Sequence, residues 1–260
     1  PGPGPVKAPS VRALLPGLHL LETEVEDFDV RAALLVGGER AVLWDTLAHP
    51  SQMEAVAGLA GGRPLTVVYS HSDWDHAWGT CALKGVQAVV AHARAAERFG
   101  TDVPAELRRR QAREPGVWDA VRLVPPTETF TRLHALDLGG ATLQLHALPG
   151  HTPDCIVGLV PEWGVLLAGD TVEMPLPVVN DGGAVAEWAE ALAGWHGDGR
   201  VTTVVPSHGR VGGRELLAET LAYLRGLGSG KGPEDLAALP PFYRETHRRN
   251  VALAVPTVGS

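Results

Sequence analysis

The chain has 260 residues and a mass of 27.4 kDa, a size that suits one large domain or two small ones. Apolar residues make up 45% and charged residues 20%, which excludes a disordered chain, a collagen-like fibre and a miniprotein held together by disulfides. Asp and Glu (30) outnumber Lys and Arg (22), so the formal net charge is −8. A nucleic-acid partner is not expected, because such a surface repels phosphates.

The first half of the chain alternates short apolar runs with turn residues. Residues 1–17 begin with a Pro- and Gly-rich run and are predicted to be a flexible N-terminal segment. A helix is predicted over 51–60, and Gly37-Gly38 is the signal for a hairpin. The apolar runs predict strands at 18–21, 32–36, 41–44, 65–69 and 86–91.

The second half repeats this pattern. Residues 92–118 are rich in Ala, Arg and Glu and predict one or two surface helices, with the Arg triplet at 108–110 on a solvated face. Strands are then predicted at 142–147, 156–160, 165–168 and 202–205, and helices at 184–195, 214–227 and 242–253. No low-complexity linker separates the halves, so we predict a single domain over 18–255.

The densest group of ionisable residues is the segment His71-Ser-Asp-Trp-Asp-His76. It offers two imidazoles and two carboxylates directly after an apolar strand, where loops usually carry functional side chains. Residues 71, 73 and 75 alternate, so we expect them to point to one side, while His76 adds a second direction. Such donors suit divalent ions such as zinc, manganese or iron. The alternative is a solvated acidic turn, which is disfavoured because three later segments supply further ligands.

Each of these later segments places one His or Asp in a tight turn after a predicted strand. They are Pro149-Gly-His-Thr-Pro153, Leu167-Ala-Gly-Asp-Thr171 and Val205-Pro-Ser-His-Gly209. Gly and Pro restrict the backbone of such turns, so His151, Asp170 and His208 would each be held in a defined direction. Each turn alone is a weak signal, but in this order after HSDWDH they predict a metal centre.

The motifs HSDWDH, PGHTPD, LAGDT and PSHG resemble, in type and order, those of the metallo-β-lactamase superfamily. That superfamily includes glyoxalase II, lactonases, ribonuclease Z and flavodiiron proteins, and the resemblance covers residues 18–227. It implies an α+β fold, a four-layer αββα sandwich with metal ions at one edge between the sheets. The chain departs from the family at one position, because its first motif reads HxDxDH, with Asp73 in place of the second His of HxHxDH.

The resemblance also implies a binuclear site. It assigns seven ligands to two divalent ions: His71, Asp73 and His151 to one, Asp75, His76 and His208 to the other, and Asp170 as the bridge. Catalytic roles are assigned to Asp75 and Asp170. Zinc is the favoured metal, with iron or manganese as alternatives because the extra carboxylate suits harder ions. Asp73 also adds a negative charge, which predicts a weaker Lewis acid. The alternative is that the shorter Asp side chain fails to reach the ion and leaves one site weakly occupied.

The function implied is hydrolysis of a small ester, lactone or thioester by a metal-bound hydroxide. The β-lactamases proper generally lack the bridging Asp, so β-lactam hydrolysis is expected only as a weak side activity. The alternative class is an iron-dependent oxidoreductase that resembles persulfide dioxygenases or diiron proteins. Met174, Leu176 and Val178 follow the bridging Asp and are expected to form an apolar wall beside the substrate.

Location and partners follow from other features. Cys81 and Cys155 are too few for a disulfide framework and fit a reducing cytoplasm, and Cys155 is interpreted as a small buried side chain. No apolar run approaches the roughly 18 residues that span a bilayer, and residues 1–10 lack a secretion-signal pattern. We therefore expect a cytoplasmic protein with a small-molecule substrate and no membrane partner. Phe242 and Tyr243 either contact a second copy in a homodimer or pack on their own domain.

Overall fold

The computed structural model describes residues 6–254 and contains two mixed β-sheets together with helices, so the predicted α+β class is confirmed. The chain divides into two compact units, whose boundary falls between Gln144 and Leu145. Each unit has its own cluster of buried apolar side chains. The single domain predicted over 18–255 stays a prediction. Within residues 6–254, no helix is long and apolar enough to cross a membrane.

The first unit contains a seven-stranded sheet whose strands lie side by side in chain order. They are β1 (Ser10–Leu15), β2 (Leu18–Val25), β3 (Phe28–Val36), β4 (Ala41–Trp44), β5 (Leu65–Val68), β6 (Val86–His92) and β7 (Glu128–Phe130). Neighbours from β1 to β4 are antiparallel, and those from β4 to β7 are parallel. The carboxyl ends of β4, β5 and β6 therefore lie together at one edge of this sheet, the edge at which functional groups of parallel sheets usually gather.

Strand β1 shows that the prediction of a flexible segment over 1–17 is wrong for residues 10–15. These residues pair with β2, with Ser10 opposite Glu22 and Leu15 opposite Leu18. Its first four side chains are exposed, so the strand has no apolar pattern and depends on pairing with its neighbour. Residues 1–5, and residue 255 at the end of the predicted domain, lie outside the described residues.

The predicted hairpin joins β3 to β4, with Val36 opposite Ala41. Gly37 is required there for a close approach of backbones, because a Cβ at this position would overlap the carbonyl oxygen of Leu138. The next amide, Gly38 N–H, donates to Gly139 O at 2.9 Å. The hairpin turn at Gly37-Gly38 is therefore held against residues 138 and 139 by a close backbone contact and a hydrogen bond.

The helices of the first unit are shorter than predicted. They are α1 (Val56–Ala60), α2 (Trp74–Ala77), α3 (Ala93–Phe99) and α4 (Asp102–Arg113), with 3-10 turns at Pro50–Met53 and Trp78–Ala82. The helix predicted over 51–60 is thus split into a 3-10 turn and α1. The stretch predicted over 92–118 contains two helices, as expected.

Arg110 in α4 is not part of a solvated face, contrary to the prediction for the triplet at 108–110. It is 7% exposed, and its guanidinium carbon lies 3.3 Å from the centroid of the Trp74 ring. Its Nε and Nη1 also pair with Glu106 and Glu26 at 2.7 and 2.9 Å. A planar guanidinium can stack and form ion pairs at once, which is why an Arg is tolerated in this buried position.

The second sheet has five strands. Its first strand in chain order ends before the boundary between Gln144 and Leu145, and its second strand contains that boundary. The five strands are β8 (Leu133–Asp137), β9 (Thr142–Ala147), β10 (Ile156–Val160), β11 (Val165–Gly169) and β12 (Thr203–Pro206), in the order β12-β11-β10-β9-β8. Strands β10 and β11 are antiparallel, whereas β11 and β12 are parallel. Strands β7 and β8 were not predicted, because they are short and largely exposed.

The helices of the second unit agree with the predicted ones to within a few residues. They are α5 (Val185–Gly197), α6 (Glu215–Gly226) and α7 (Pro241–Ala254). Trp188 and Leu192 of α5 are fully buried, as its predicted apolar face requires. Tyr243 belongs to the same apolar cluster and Phe242 packs against it, so both residues pack on their own unit. A homodimer stays a prediction.

Candidate metal centre

The first set of predicted ligands lies beyond the carboxyl end of β5. His71 follows the strand by three residues and is fully buried, as is His76. Asp75 is 6% exposed, whereas the side chain of Asp73 is 25% exposed. Burying imidazoles and carboxylates in one short segment costs free energy unless the groups are paired or bind an ion. This burial therefore points to a binding site rather than a solvated turn.

The segment is partly helical, so the expected alternation of residues 71, 73 and 75 is wrong. Asp73 is the extended N-cap residue of α2, and Asp75 and His76 lie within that helical turn. Successive helical residues point about 100° apart, which separates the directions of Asp75 and His76. The turn also brings the two ends of the motif together, because the His71 and His76 ring centroids are 4.1 Å apart.

Two donor pairs in this segment have the spacing that a bound ion requires. His71 Nε2 lies 3.5 Å from Asp73 Oδ2, and His76 Nε2 lies 3.5 Å from Asp75 Oδ2. Ligands about 2.0–2.1 Å from a tetrahedral ion are about 3.3–3.4 Å from each other. Hydrogen-bonded N and O atoms are closer, at about 2.7–3.2 Å. The pairs therefore fit a divalent cation better than direct hydrogen bonds.

Asp45 orients His76, and sequence reasoning missed it. It follows β4, is fully buried and has a positive φ of 61°. One oxygen accepts from Ser70 N–H at 2.7 Å, and the other accepts from Ser70 Oγ at 2.7 Å and from His76 Nδ1 at 2.9 Å. A proton held on Nδ1 leaves Nε2 for an ion. The available signal was an acidic residue directly after a buried strand, as Asp170 is in the motif LAGDT.

The second set of predicted ligands lies on three turns of the second unit. His151 follows β9, Asp170 follows β11 and His208 follows β12, and each is at most 5% exposed. Asp170 Oδ2 lies 3.2 Å from His208 Nε2 and 3.6 Å from His151 Nε2. One carboxylate oxygen is thus placed between two imidazoles, an arrangement that suits the predicted bridging role.

His151 is oriented by the loop that follows β11. Its Nδ1 lies 2.8 Å from Val178 O, so Nδ1 carries the proton and Nε2 faces Asp170. Asn180 Nδ2 donates to His151 O at 3.0 Å. Gly150 precedes His151 in the same turn and lies against Trp188 of α5. A Cβ at position 150 would overlap the Trp188 ring, so only Gly lets the backbone before His151 lie this close to the helix.

The loop is also tied to Glu173, a buried acid that the sequence analysis did not single out. Glu173 Oε2 accepts from Val178 N–H at 3.2 Å. Burial raises the pKa of its carboxyl to about 7; the neighbouring His208 lowers this pKa, and the charge of Asp170 raises it.

Met174 and Leu176 are only 6% and 0% exposed and belong to the apolar cluster of the unit, so the expected apolar wall is not supported at these two residues.

Helix α7 holds this loop through Asn250, which is 1% exposed. Asn250 Oδ1 accepts from Val179 N–H at 2.9 Å, and Nδ2 donates to Pro177 O at 2.7 Å and to Tyr223 OH at 3.0 Å. The amide therefore connects the C-terminal helix to both backbone neighbours of Val178. Because Val178 O accepts from His151, α7 supports the ligand indirectly.

We expect Asn250→Ala to lower the free energy of unfolding by about 2–4 kcal/mol, because it leaves buried backbone groups without their partners. Chemical denaturation of the metal-free protein measures the change. Arg249→Ala, an exposed position on the same helix, is the control and should change it by about 0.5 kcal/mol or less. Equal stability of the two variants would contradict the role of Asn250.

Cys155 is placed as expected, just before β10. Cys81 and Cys155 are both free thiols, and Cys155 is 1% exposed. Burial raises the pKa of the Cys155 thiol well above its usual range, which disfavours the thiolate that a nucleophile needs. Its interpretation as a small buried side chain is confirmed.

Comparison with known proteins adds a family to this geometry. A family model described as "Metallo-beta-lactamase superfamily" matches residues 25–208. The matched span includes all seven predicted ligands and ends at His208.

Two individual relatives are similar to this chain over only part of their own lengths. A hydroxyacylglutathione hydrolase of Anaeromyxobacter dehalogenans (strain 2CP-C) is 32% identical over 140 residues, which are 54% of this chain and 44% of that protein. A metallo-beta-lactamase type 2 of Bacillus sp. (strain 170) is 28% identical over 188 residues, 70% of this chain and 66% of that protein. The matched part of this chain therefore spans less than two thirds of either relative.

Solved structures give the same result for the fold. A metallo-beta-lactamase from Pontibacter korlensis superposes with a TM-score of 0.67 at 21% identity, covering 84% of this chain and 99% of that chain. A likeness at this low identity shows a shared fold and no more, and it agrees with the fold predicted from the motifs.

Proposed function

The chain belongs to the metallo-beta-lactamase superfamily, and we propose that it is a metal-dependent hydrolase of small thioesters, esters or lactones. The observation that carries this proposal is the pairing of imidazole and carboxylate donors 3.2–3.6 Å apart, two pairs in each unit, with every donor except Asp73 buried. In each unit one imidazole is held at Nδ1 so that Nε2 is directed at a carboxylate, His76 by Asp45 and His151 by Val178 O. Such orientation is typical of metal ligands.

We propose that two divalent ions, with zinc favoured, are held by the ligands that the family pattern assigns. Those for the first ion are His71, Asp73 and His151, those for the second are Asp75, His76 and His208, and Asp170 serves both. Support comes from the burial of all these groups except Asp73 and from the number of nitrogen donors, which zinc accepts readily. Bound ions would supply a Lewis acid and lower the pKa of a coordinated water from 15.7 to about 7.

The substrate class rests on Asp170 and on the relatives. Asp170 Oδ2 lies between two imidazoles, and the family's ester, lactone and thioester hydrolases carry such an Asp, whereas its β-lactamases generally do not. The relative with 32% identity is named a hydroxyacylglutathione hydrolase, which favours a thioester. The relative named a metallo-beta-lactamase is 28% identical, so β-lactam hydrolysis is proposed only as a weak side activity.

One observation favours a second candidate, an iron-dependent oxidoreductase. Asp73 adds a carboxylate oxygen 3.5 Å from His71 Nε2, where the common family motif has an imidazole. Oxygen ligands shift the preference of a site toward harder ions such as iron.

The small-molecule substrate and the cytoplasmic location are proposed on the net charge of −8 and the two free thiols.

Metal content distinguishes these candidates. Protein purified without added metal or chelator is expected to contain about two zinc or manganese ions per chain by elemental mass spectrometry, and to hydrolyse members of a thioester, ester and lactone panel. His208→Ala should lose at least one equivalent, while His196→Ala, which alters an exposed imidazole, should lose none.

Other outcomes have equally definite meanings. Iron together with oxygen consumption would replace the hydrolase by the oxidoreductase. A β-lactam turned over faster than every thioester, ester and lactone would reverse the proposed order of substrates. Wild-type protein without metal would refute the proposed function.

A further inference from the structure

Arg98 contacts the one predicted ligand at which this chain departs from the common family motif. Its Nη2 donates to Asp73 Oδ1 at 2.7 Å, and the two side chains are 16% and 25% exposed. The same guanidinium donates to Asp102 Oδ2 through Nε at 3.0 Å and Nη2 at 2.8 Å. Arg98 in α3 therefore connects the residue before α2 to the first residue of α4.

Asp73 uses its two oxygens in an unusual way for its position. As N-cap residue of α2 it would be expected to accept from the free amides of that helix, yet its side chain makes no capping hydrogen bond. Instead Oδ1 accepts from Arg98, and Oδ2 lies 3.5 Å from His71 Nε2. One oxygen is thus held by the guanidinium while the other has the ligand spacing described above.

The charge of the pair matters as much as its geometry. Exchanging a neutral His for Asp lowers the charge of the ligand set by one, and the guanidinium beside Asp73 returns one positive charge. Asp102 opposes this, but its side chain is 54% exposed and its charge is screened by water. Arg98 therefore offsets the change of charge at position 73, which argues against the weaker Lewis acid expected from Asp73 alone.

We propose that Arg98 is a positioning residue that fixes Asp73 as a one-oxygen metal ligand and balances its charge. This rests on the proposed function, because it requires an ion at His71 and Asp73. It follows that Asp73 and Arg98 act as a unit. With His at position 73, the guanidinium would lose its carboxylate partner and would stand next to two divalent cations as a repulsive charge.

A double-mutant cycle tests this dependence through metal affinity, without reference to turnover. The proteins are wild type, Asp73→His, Arg98→Met and the double variant, each titrated with zinc in competition with a chromophoric chelator. In wild type, Arg98→Met should weaken the binding of one zinc about tenfold, because Asp73 is no longer held. In the Asp73→His background, the same change should strengthen zinc binding by a similar factor, because it removes the repulsive charge.

A merely structural ion pair would not make the effect of Arg98→Met on zinc affinity change sign between the wild-type and Asp73→His backgrounds. Arg94→Met is the matched control, because Arg94 lies on the same helix, is 60% exposed and pairs with Glu97 away from Asp73. It should leave zinc affinity unchanged in both backgrounds, and melting of the metal-free variants checks that all are folded.

The outcomes separate the two proposals. If wild type binds two zinc ions and Arg98→Met acts in the same direction in both backgrounds, or if Asp73→His alone binds zinc as tightly as wild type, the role of Arg98 is refuted while the metal site stands. If wild type binds neither zinc nor, in a parallel titration, manganese, the proposed function falls and the role of Arg98 falls with it.

Discussion

Asp170→Asn is expected to lower turnover of the best substrate by about three orders of magnitude, or roughly 4 kcal/mol of transition-state stabilisation. Asn keeps the size of the side chain but removes the negative charge that lies between His208 Nε2 and His151 Nε2, at 3.2 and 3.6 Å. Because Asp170 is proposed to bind both ions, its replacement should lower turnover more than the replacement of a ligand that binds one ion. Turnover and metal content are measured on the same preparation.

Asp235→Asn is the control for this variant, because Asp235 is an exposed acid of the second unit. It should leave turnover within about twofold of wild type. Wild-type turnover in Asp170→Asn, with wild-type metal content, would show that Asp170 neither bridges nor contributes to the reaction.

Asp45→Ala is expected to destabilise the protein by about 3–5 kcal/mol and to weaken metal binding by about 10–100-fold. The carboxylate is fully buried and accepts from Ser70 N–H, Ser70 Oγ and His76 Nδ1, all of which would lose their acceptor. Denaturation of the metal-free protein gives the first effect, and a zinc titration gives the second.

Asp45→Asn separates folding from ligand orientation. Asn tolerates the positive φ of 61° at this position and keeps one oxygen acceptor, so it should lose less stability than Ala. It cannot keep the charge that holds His76, so its zinc affinity should still fall. Asp119→Ala, an exposed acid of the same unit, should change neither quantity, and intact zinc affinity in both Asp45 variants would contradict its role.

Local sequence patterns were sufficient to predict the elements that carry the ligands. The apolar runs before HSDWDH, LAGDT and PSHG form β5, β11 and β12, because short β-branched runs bounded by Gly, Pro and polar residues favour buried strands. The ligand residues then follow from their chemical type and their order along the chain. For the same reason β1 was missed, since its side chains are mostly exposed and only its pairing with β2 makes it a strand.

The residues that orient these ligands could not be predicted in this way. Asp45 lies 31 residues from His76, and Arg98 lies 25 residues from Asp73. Such pairs have no periodicity or spacing of their own, because the segments that follow β4, β5 and β6 meet only after the sheet has formed. Local residue types therefore specify which side chains are able to bind a metal, whereas their protonated nitrogens, charge balance and directions depend on partners that the folded chain supplies from distant segments.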